Sequence, residues 1–207
     1  MYKLYGEKGS GMAMVDAALA EAGADYQKLP VDLDKQEQRG EEFRKLNPVG
    51  KIPALILPSG AVMTESAAML ITIAERFPDA KLLPPIGSDE RAQAIRWTVF
   101  AVSEVYPMIE IFDYPKRFAT GEKEEGAVKL RAQQRARERW LIVEQVIAGS
   151  PWILPGGFSI ADIATACVSR WTLGKDWRAP NIPKIEALNA AIYQRPRAGP
   201  IWKHHFG

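Results

Sequence analysis

Four short stretches carry side chains whose type and spacing could do chemistry: Gly9-Ser10-Gly11, Lys51-Ile52-Pro53, Thr64-Glu65-Ser66, and Phe158-Ser159 with Asp162. Ser10 sets a hydroxyl in a turn just before a helical pattern, where a helix N-terminus favours negative charge. Glu65 and Ser66 open a second helix; an acid there is favoured by the dipole with or without a ligand. Lys51, taken singly, is a solvated surface lysine. Pro53 opens a strand through an X-Pro bond, the one kind of peptide bond that readily goes cis. Ser159 followed at the third position by Asp162 has the spacing of a reciprocal N-cap, with Phe158 and Ile163 placed as a hydrophobic staple. Asp stands where Glu or Gln is commoner, and the pair reads as structural.

Other chemistries fail on the residues they require. Gly6 and Gly11 have phosphate-loop spacing, but Met12-Ala13 occupies the place of the Lys and Ser/Thr that would hold phosphate and magnesium. Gly9 and Gly11 begin a dinucleotide fingerprint, yet Met14 fills the third glycine place. The single cysteine, Cys167, rules out a dithiol centre and reads as a small buried hydrophobe. Cys167, His204 and His205 are too few and too badly spaced for a metal site, so no metal is expected.

The 27 basic residues nearly balance 25 acidic ones, which gives no bulk electrostatic case for nucleic acid or an acidic membrane. Arg131, Arg135 and Arg139 share a helical stripe, but Glu138 interleaves it, and a solvated face is the plainer reading. Met1 to Gly6 has no apolar signal region, and no apolar run approaches the ~18 residues of a membrane span. The expectation is a cytoplasmic protein. A chain of 207 residues with a 47% hydrophobic share suits one large domain or two small ones.

The elements that must position these residues change character near residue 80. Before it the order is β-α-β-α-β-β-α: strands at Tyr2–Tyr5, Tyr26–Val31, Ala54–Leu57 and Ala61–Met63, with helices at Met12–Ala22, Gln36–Leu46 and from about Glu65. A crossover helix between strands argues a mixed sheet with helices on its faces. Pro78 to Gly87 reads as a linker. Beyond it the period stays at 3.6, with helices predicted at Ser88–Phe118, Glu122–Ile147, Phe158–Trp171 and Ile182–Gln194, then a short tail helix.

In order along the chain, Asn47-Pro-Val-Gly-Lys-Ile-Pro-Ala-Leu, Thr64-Glu-Ser-Ala-Ala-Met-Leu, Leu82-Leu-Pro and Phe158-Ser-Ile-Ala-Asp162 make the sequence resemble the cytosolic glutathione transferase superfamily. Each stretch is weak singly; the set is specific. The resemblance implies an α+β fold: a thioredoxin-like N-terminal domain over 1–78, a linker over 79–87, and an all-α helical C-terminal domain over 88–207. It also implies a homodimer, glutathione as co-substrate, and a small hydrophobic electrophile as the second substrate.

The resemblance assigns roles too. Pro53 would be a cis-proline, and the backbone of Ile52 would pair with the cysteinyl backbone of glutathione like an added strand. Glu65 and Ser66 would hold the γ-glutamyl end, and Lys51 would face the glycyl carboxylate. Tyr106, Trp171 and Trp97, with Phe100 and Phe112, would offer the electrophile an apolar surface on the helical domain; the helix bearing most of them follows the linker.

Catalysis by such a site is thiolate activation. A thiol with pKa near 8.5 is only ~3% ionised at neutral pH. A downward shift of about two units, worth roughly 2.7 kcal/mol, makes thiolate the major species. Ser10 is the candidate catalytic hydroxyl, and the backbone amides of Gly11 or Met12 are the alternative donors. The reading is a glutathione transferase acting in detoxification. The alternatives are a protein that holds glutathione or an apolar ligand without turnover, and a glutathione-dependent isomerase or peroxidase.

Overall fold

A computed structural model of the chain describes every residue except 149, 172 and 173, and, at position 175, only the backbone. Alternation in the first strand, β1 (Tyr2–Gly6), buries Tyr2, Leu4 and Gly6 and turns Lys3 to solvent. Helix α1 (Met12–Ala22) carries the chain to β2 (Tyr26–Pro30), which pairs parallel with β1 from Tyr2↔Tyr26 to Gly6↔Pro30. A parallel pair needs such a crossover. Strands β3 (Ala54–Ile56) and β4 (Val62–Met63) add antiparallel, giving the order β2-β1-β3-β4. This is the thioredoxin-like sheet the sequence led us to expect.

Between β2 and β3 the anticipated helix over 36–46 divides. A 3-10 turn covers Glu37–Arg39, Gly40 is extended, and α2 runs Glu41–Leu46. Helix α3 spans Ser66–Arg76 and buries Met69, Leu70, Ile73 and Ala74. Residues 12–19 of α1 are all buried, as befits a helix that packs on more than one side.

Beyond residue 83 the regular elements among the described residues are helical. The long helix expected over 88–118 is three pieces: α4 (Asp89–Phe100), a π-helical turn at Ala101–Val105, and α5 (Tyr106–Asp113). Pro107 lacks an N–H and its ring displaces the carbonyl four residues back, so the ladder must widen just before it. Pro115 then ends α5, because the residue before a proline avoids the helical region. Helix α6 (Glu122–Val146) buries Ala132, Ala136, Trp140 and Val143 at helical spacing. Helix α7 (Ile160–Trp171) is buried from Ile160 through Ser169. Helix α8 (Lys175–Asn181), which has no apolar period to announce it, precedes α9 (Pro183–Tyr193) and α10 (Ala198–Phe206).

Two compact units result: Met1–Leu83 with Ile192–Gly207, and Pro84–Ala191. The C-terminal segment, placed by the sequence with the helical domain, thus belongs to the first unit. Glu21 of α1 is the reason at one end. Its carboxylate accepts a bidentate pair from Arg195 at 2.8 Å and the Ala198 N–H at 3.0 Å, capping α10. Asp16 and His205 join the same two helices at the other end, 2.9 Å apart, so α10 runs antiparallel to α1. Trp202 is fully buried.

In the second unit the reciprocal cap at Ser159 forms. Asp162 Oδ2 accepts from the Ser159 N–H at 2.7 Å and from its hydroxyl at 3.1 Å, and Ser159 Oγ accepts from the Ala161 N–H at 3.2 Å. Oδ1 takes the Ile153 N–H at 2.8 Å, so the same carboxylate also pins the preceding loop. Burial pushes the Asp162 carboxyl up to about 6 against these donors. Asp162→Ala would leave buried donors without an acceptor, which costs about 2–4 kcal/mol, or a fall in melting temperature of roughly 4 °C or more. An unchanged melting temperature would contradict this role. A raised carboxyl pKa means that the folded chain holds the proton more tightly than the unfolded one, so this contribution to stability falls as pH rises from about 4 to about 6. The stability gap between wild type and Asp162→Ala should therefore narrow over that interval and be flat above it; a widening gap would contradict the assignment.

Candidate active site

Strand register gathers the sequence candidates of the first unit at one end of the sheet. Tyr5 pairs with Ala54, and Leu55 with Met63, so the end of β1, the start of β3 and the end of β4 are neighbours. Gly9-Ser10-Gly11 follows the first, Lys51-Ile52-Pro53 precedes the second, and Glu65-Ser66 follows the third.

In the β1–α1 turn the Ser10 hydroxyl donates to the Glu7 carbonyl at 2.6 Å, while its oxygen accepts from the Met12 N–H at 3.2 Å. Ser10 therefore closes the turn and caps α1 as an ST motif. Of the two amides that were alternatives to it, that of Met12 is used. The N–H of Gly11, a buried residue at the mouth of α1, has no partner among the described residues. A donor at the positive end of a helix suits an anion.

The second turn is built by Asn47, a residue the sequence reading passed over as part of an Asn-Pro-Val-Gly turn. Its side chain accepts from the Val49 N–H at 3.1 Å and donates to the Lys51 carbonyl at 2.6 Å. Gly50 has φ 67°, and a Cβ there would meet the Gln38 carbonyl oxygen at 3.0 Å, so only glycine fits easily. The chain leaves this turn through a cis Ile52–Pro53 peptide bond. Neither backbone group of Ile52 is hydrogen-bonded among the described residues, which leaves an unpaired edge beside β3. Lys51 is exposed and Pro53 buried.

Glu65 is the residue before α3 and has φ 63°, ψ 103°, a conformation that non-glycine residues seldom adopt. Its carboxylate is exposed, Ser66 is half-buried, and neither side chain has a hydrogen-bond partner among the described residues. Backbone strain of this kind clusters at ligand clamps.

In the second unit, Tyr106 and Trp171 stack with ring centroids 4.8 Å apart at 34°, both half-buried. The π-helical turn ends directly before Tyr106, and such turns recur at functional sites. Trp97 is only 4% exposed and packs edge-on against Phe100 at 5.4 Å, with the Arg96 guanidinium 4.4 Å from its ring centre. It is chiefly a core residue of that unit.

Two residues near the β1–α1 turn had no role in the sequence reading. Asp16 is fully buried in α1, and its Oδ2 lies 2.9 Å from His205 Nε2 and 3.1 Å from Lys28 Nζ. The Tyr26 hydroxyl donates to Oδ1. Burial pushes Asp16 up, but the hydrogen bonds from His205, Tyr26 and Lys28 outweigh it and hold the carboxyl below the usual range. Burial and that carboxylate together push the Tyr26 phenol up. Among the described residues no cluster of His, Cys, Asp or Glu could hold a metal ion, and no helix is long and apolar enough to cross a membrane.

Comparison with known proteins shows what this chain is similar to. Residues 1–75 match the model of the glutathione S-transferase N-terminal domain. The chain is 28% identical to the uncharacterized GST-like protein YncG of Escherichia coli, covering 99% of this chain and 98% of that one. It is also 28% identical to the glutathione S-transferase GstA of Escherichia coli O157:H7, over 94% of each. A glutathione transferase homologue from Sulfitobacter, solved with bound glutathione, superposes with a TM-score of 0.88 at 25% identity, covering 98% of this chain and 97% of that one. These likenesses support a place in the cytosolic glutathione transferase superfamily.

If Glu65 is strained as its dihedrals indicate, Glu65→Gly should stabilise the protein by about 1 kcal/mol, or roughly 2–4 °C in melting temperature. A variant no more stable than wild type would show that the conformation costs nothing.

Proposed function

We propose that this protein binds glutathione at the three turns of the first unit, lowers the pKa of its thiol and directs the thiolate at a hydrophobic electrophile. The reading rests above all on the open Gly11 N–H at the start of α1. It offers a fixed donor to a sulfur anion without any bond having to break first. The Ser10 hydroxyl is a second donor that reaches sulfur only by releasing the Glu7 carbonyl. Of the two activation routes that the sequence left open, this geometry favours the amide, with Ser10 holding the turn.

The tripeptide would lie antiparallel to the free edge at Ile52, its cysteinyl N–H and C=O meeting that residue's backbone. The α3 N-terminal amides and the Ser66 hydroxyl suit the γ-glutamyl carboxylate, and the Glu65 carboxylate suits its ammonium. Lys51 would face the glycyl carboxylate, to which its charge is complementary. The Tyr106–Trp171 pair of the second unit is an apolar, stackable surface of the kind that suits an aromatic or other hydrophobic electrophile. Location in the cytoplasm and assembly as a homodimer accompany this reading through the family resemblance alone.

The test is a pH titration of bound glutathione, followed by thiolate ultraviolet absorption, in wild type and Ser10→Ala. Wild type should show a thiol pKa about two units below that of free glutathione, and Ser10→Ala should retain more than half of that depression. Return of the variant to the free value would transfer the role to the hydroxyl. No depression in wild type would refute thiolate activation. In the same assay Glu65→Gly should weaken glutathione binding about tenfold or more, through loss of a charge-assisted contact.

A further inference from the structure

The turn that carries the Gly11 amide is itself held from the far end of the chain. Gly9 donates its N–H to Nδ1 of His205 at 3.0 Å, across 196 positions of sequence. Nε2 of the same ring faces Asp16 Oδ2 at 2.9 Å. Since Nδ1 accepts, the ring proton belongs on Nε2, where the carboxylate receives it. Asp16 is fixed in turn by the Tyr26 hydroxyl and by Lys28 Nζ, both on β2. His205 is 6% exposed and Asp16 fully buried, so water does not compete for these bonds.

Gly9 needs such a hold. Its φ is 76°, and glycine there can leave that conformation without steric penalty. The next residue bears the Ser10 hydroxyl, and the second peptide unit along bears the Gly11 N–H. A rotation at Gly9 would swing both. The bond to His205 anchors the N–H side of that joint, while the Ser10 contacts to Glu7 and Met12 anchor the other.

We propose that His205, oriented by Asp16, is a positioning residue for thiolate activation: it fixes the Gly9 peptide and thereby the direction in which the Gly11 N–H points. The inference rests on the reading that this turn binds the glutathione sulfur. His205 itself does not reach the sulfur; it acts through Gly9. A distance error of about 1 Å in such a donor is enough to lower rates by orders of magnitude.

Two variants separate positioning from packing. His205→Phe keeps a ring of similar size beside His204 and Phe206 but has no acceptor. In His205→Asn the amide oxygen can take the place of Nδ1 and accept from Gly9, while the contact to Asp16 is lengthened or lost. With glutathione as the probe, His205→Phe should raise the bound thiol pKa by about one unit, a tenfold loss of thiolate at pH below that value, and change glutathione affinity by less than about threefold. His205→Asn should recover most of the shift. A His205→Phe protein that folds and titrates like wild type overturns the proposal and leaves the glutathione reading intact. So does equal impairment of the two variants, since loss of the acceptor is then not the cause. If wild type itself leaves the thiol unshifted, the glutathione reading fails and the proposal with it. Should His205→Phe not fold, 15N-labelled wild type decides. A through-hydrogen-bond coupling between Gly9 N and His205 Nδ1 is expected, and its absence overturns the proposal.

Discussion

A carboxylate sealed inside an apolar helix is the constraint around which the first unit is arranged. An isolated ionised acid could not remain there, because desolvation alone would neutralise it. Asp16 stays below the usual carboxylate range because a histidine, a phenol and an ammonium converge on it. Those partners come from β2 and α10, so satisfying one charge fixes the strand beside β1 and the last helix of the chain against α1. Loss of any partner would leave a buried charge undercompensated, a more expensive defect than loss of an exposed ion pair. The β1–α1 turn inherits this rigidity through His205 and Gly9.

The proposed site on that frame is built mainly of backbone. Gly11 offers an N–H at the start of α1, Ile52 an unpaired edge, and Ser66 the first turn of α3. Backbone donors need no rotamer to be fixed, but their direction depends on the turns that carry them. Each turn accordingly has a local device: Ser10 bridging Glu7 and Met12, Asn47 bridging Val49 and Lys51, and the uncommon backbone at Glu65. On the proposed reading, this arrangement would let a site with no cysteine in the turn address a thiolate. The anion-stabilising element would then be the helix terminus, and the side chain beside it could vary.

Most of the fold was legible in the sequence because its signals are local. The period of 2 marked β1, the period of 3.6 marked α6 and α7, and the Ser159–Asp162 spacing marked a cap whose bonds the structure contains. The turns at Asn47–Pro53 and Thr64–Ser66 were legible as motifs. What escaped depended on long separations or on competition. Pro107 divides an otherwise continuous apolar period, and α8 has too few apolar residues to set one. The tail helix was anticipated, but not its place against α1, because Glu21–Arg195 and Asp16–His205 lie more than 170 residues apart. One signal was available and unused: an acid at position 16 amid Met14, Val15, Ala17, Ala18 and Leu19 is an anomaly that demands buried partners. The sequence likewise could not decide between the Ser10 hydroxyl and its neighbouring amides, since that depends on where one proton points.

The central claim, that three backbone turns of the first unit form one glutathione site, is tested most directly by titrating reduced glutathione into 15N-labelled protein. The amide resonances of Gly11, Ile52 and Ser66 should move together along one saturating curve, with Gly11 shifting downfield as it takes up the thiolate. Saturable shifts confined to other parts of the chain, or an unmoved Gly11 while Ile52 and Ser66 respond, would contradict it.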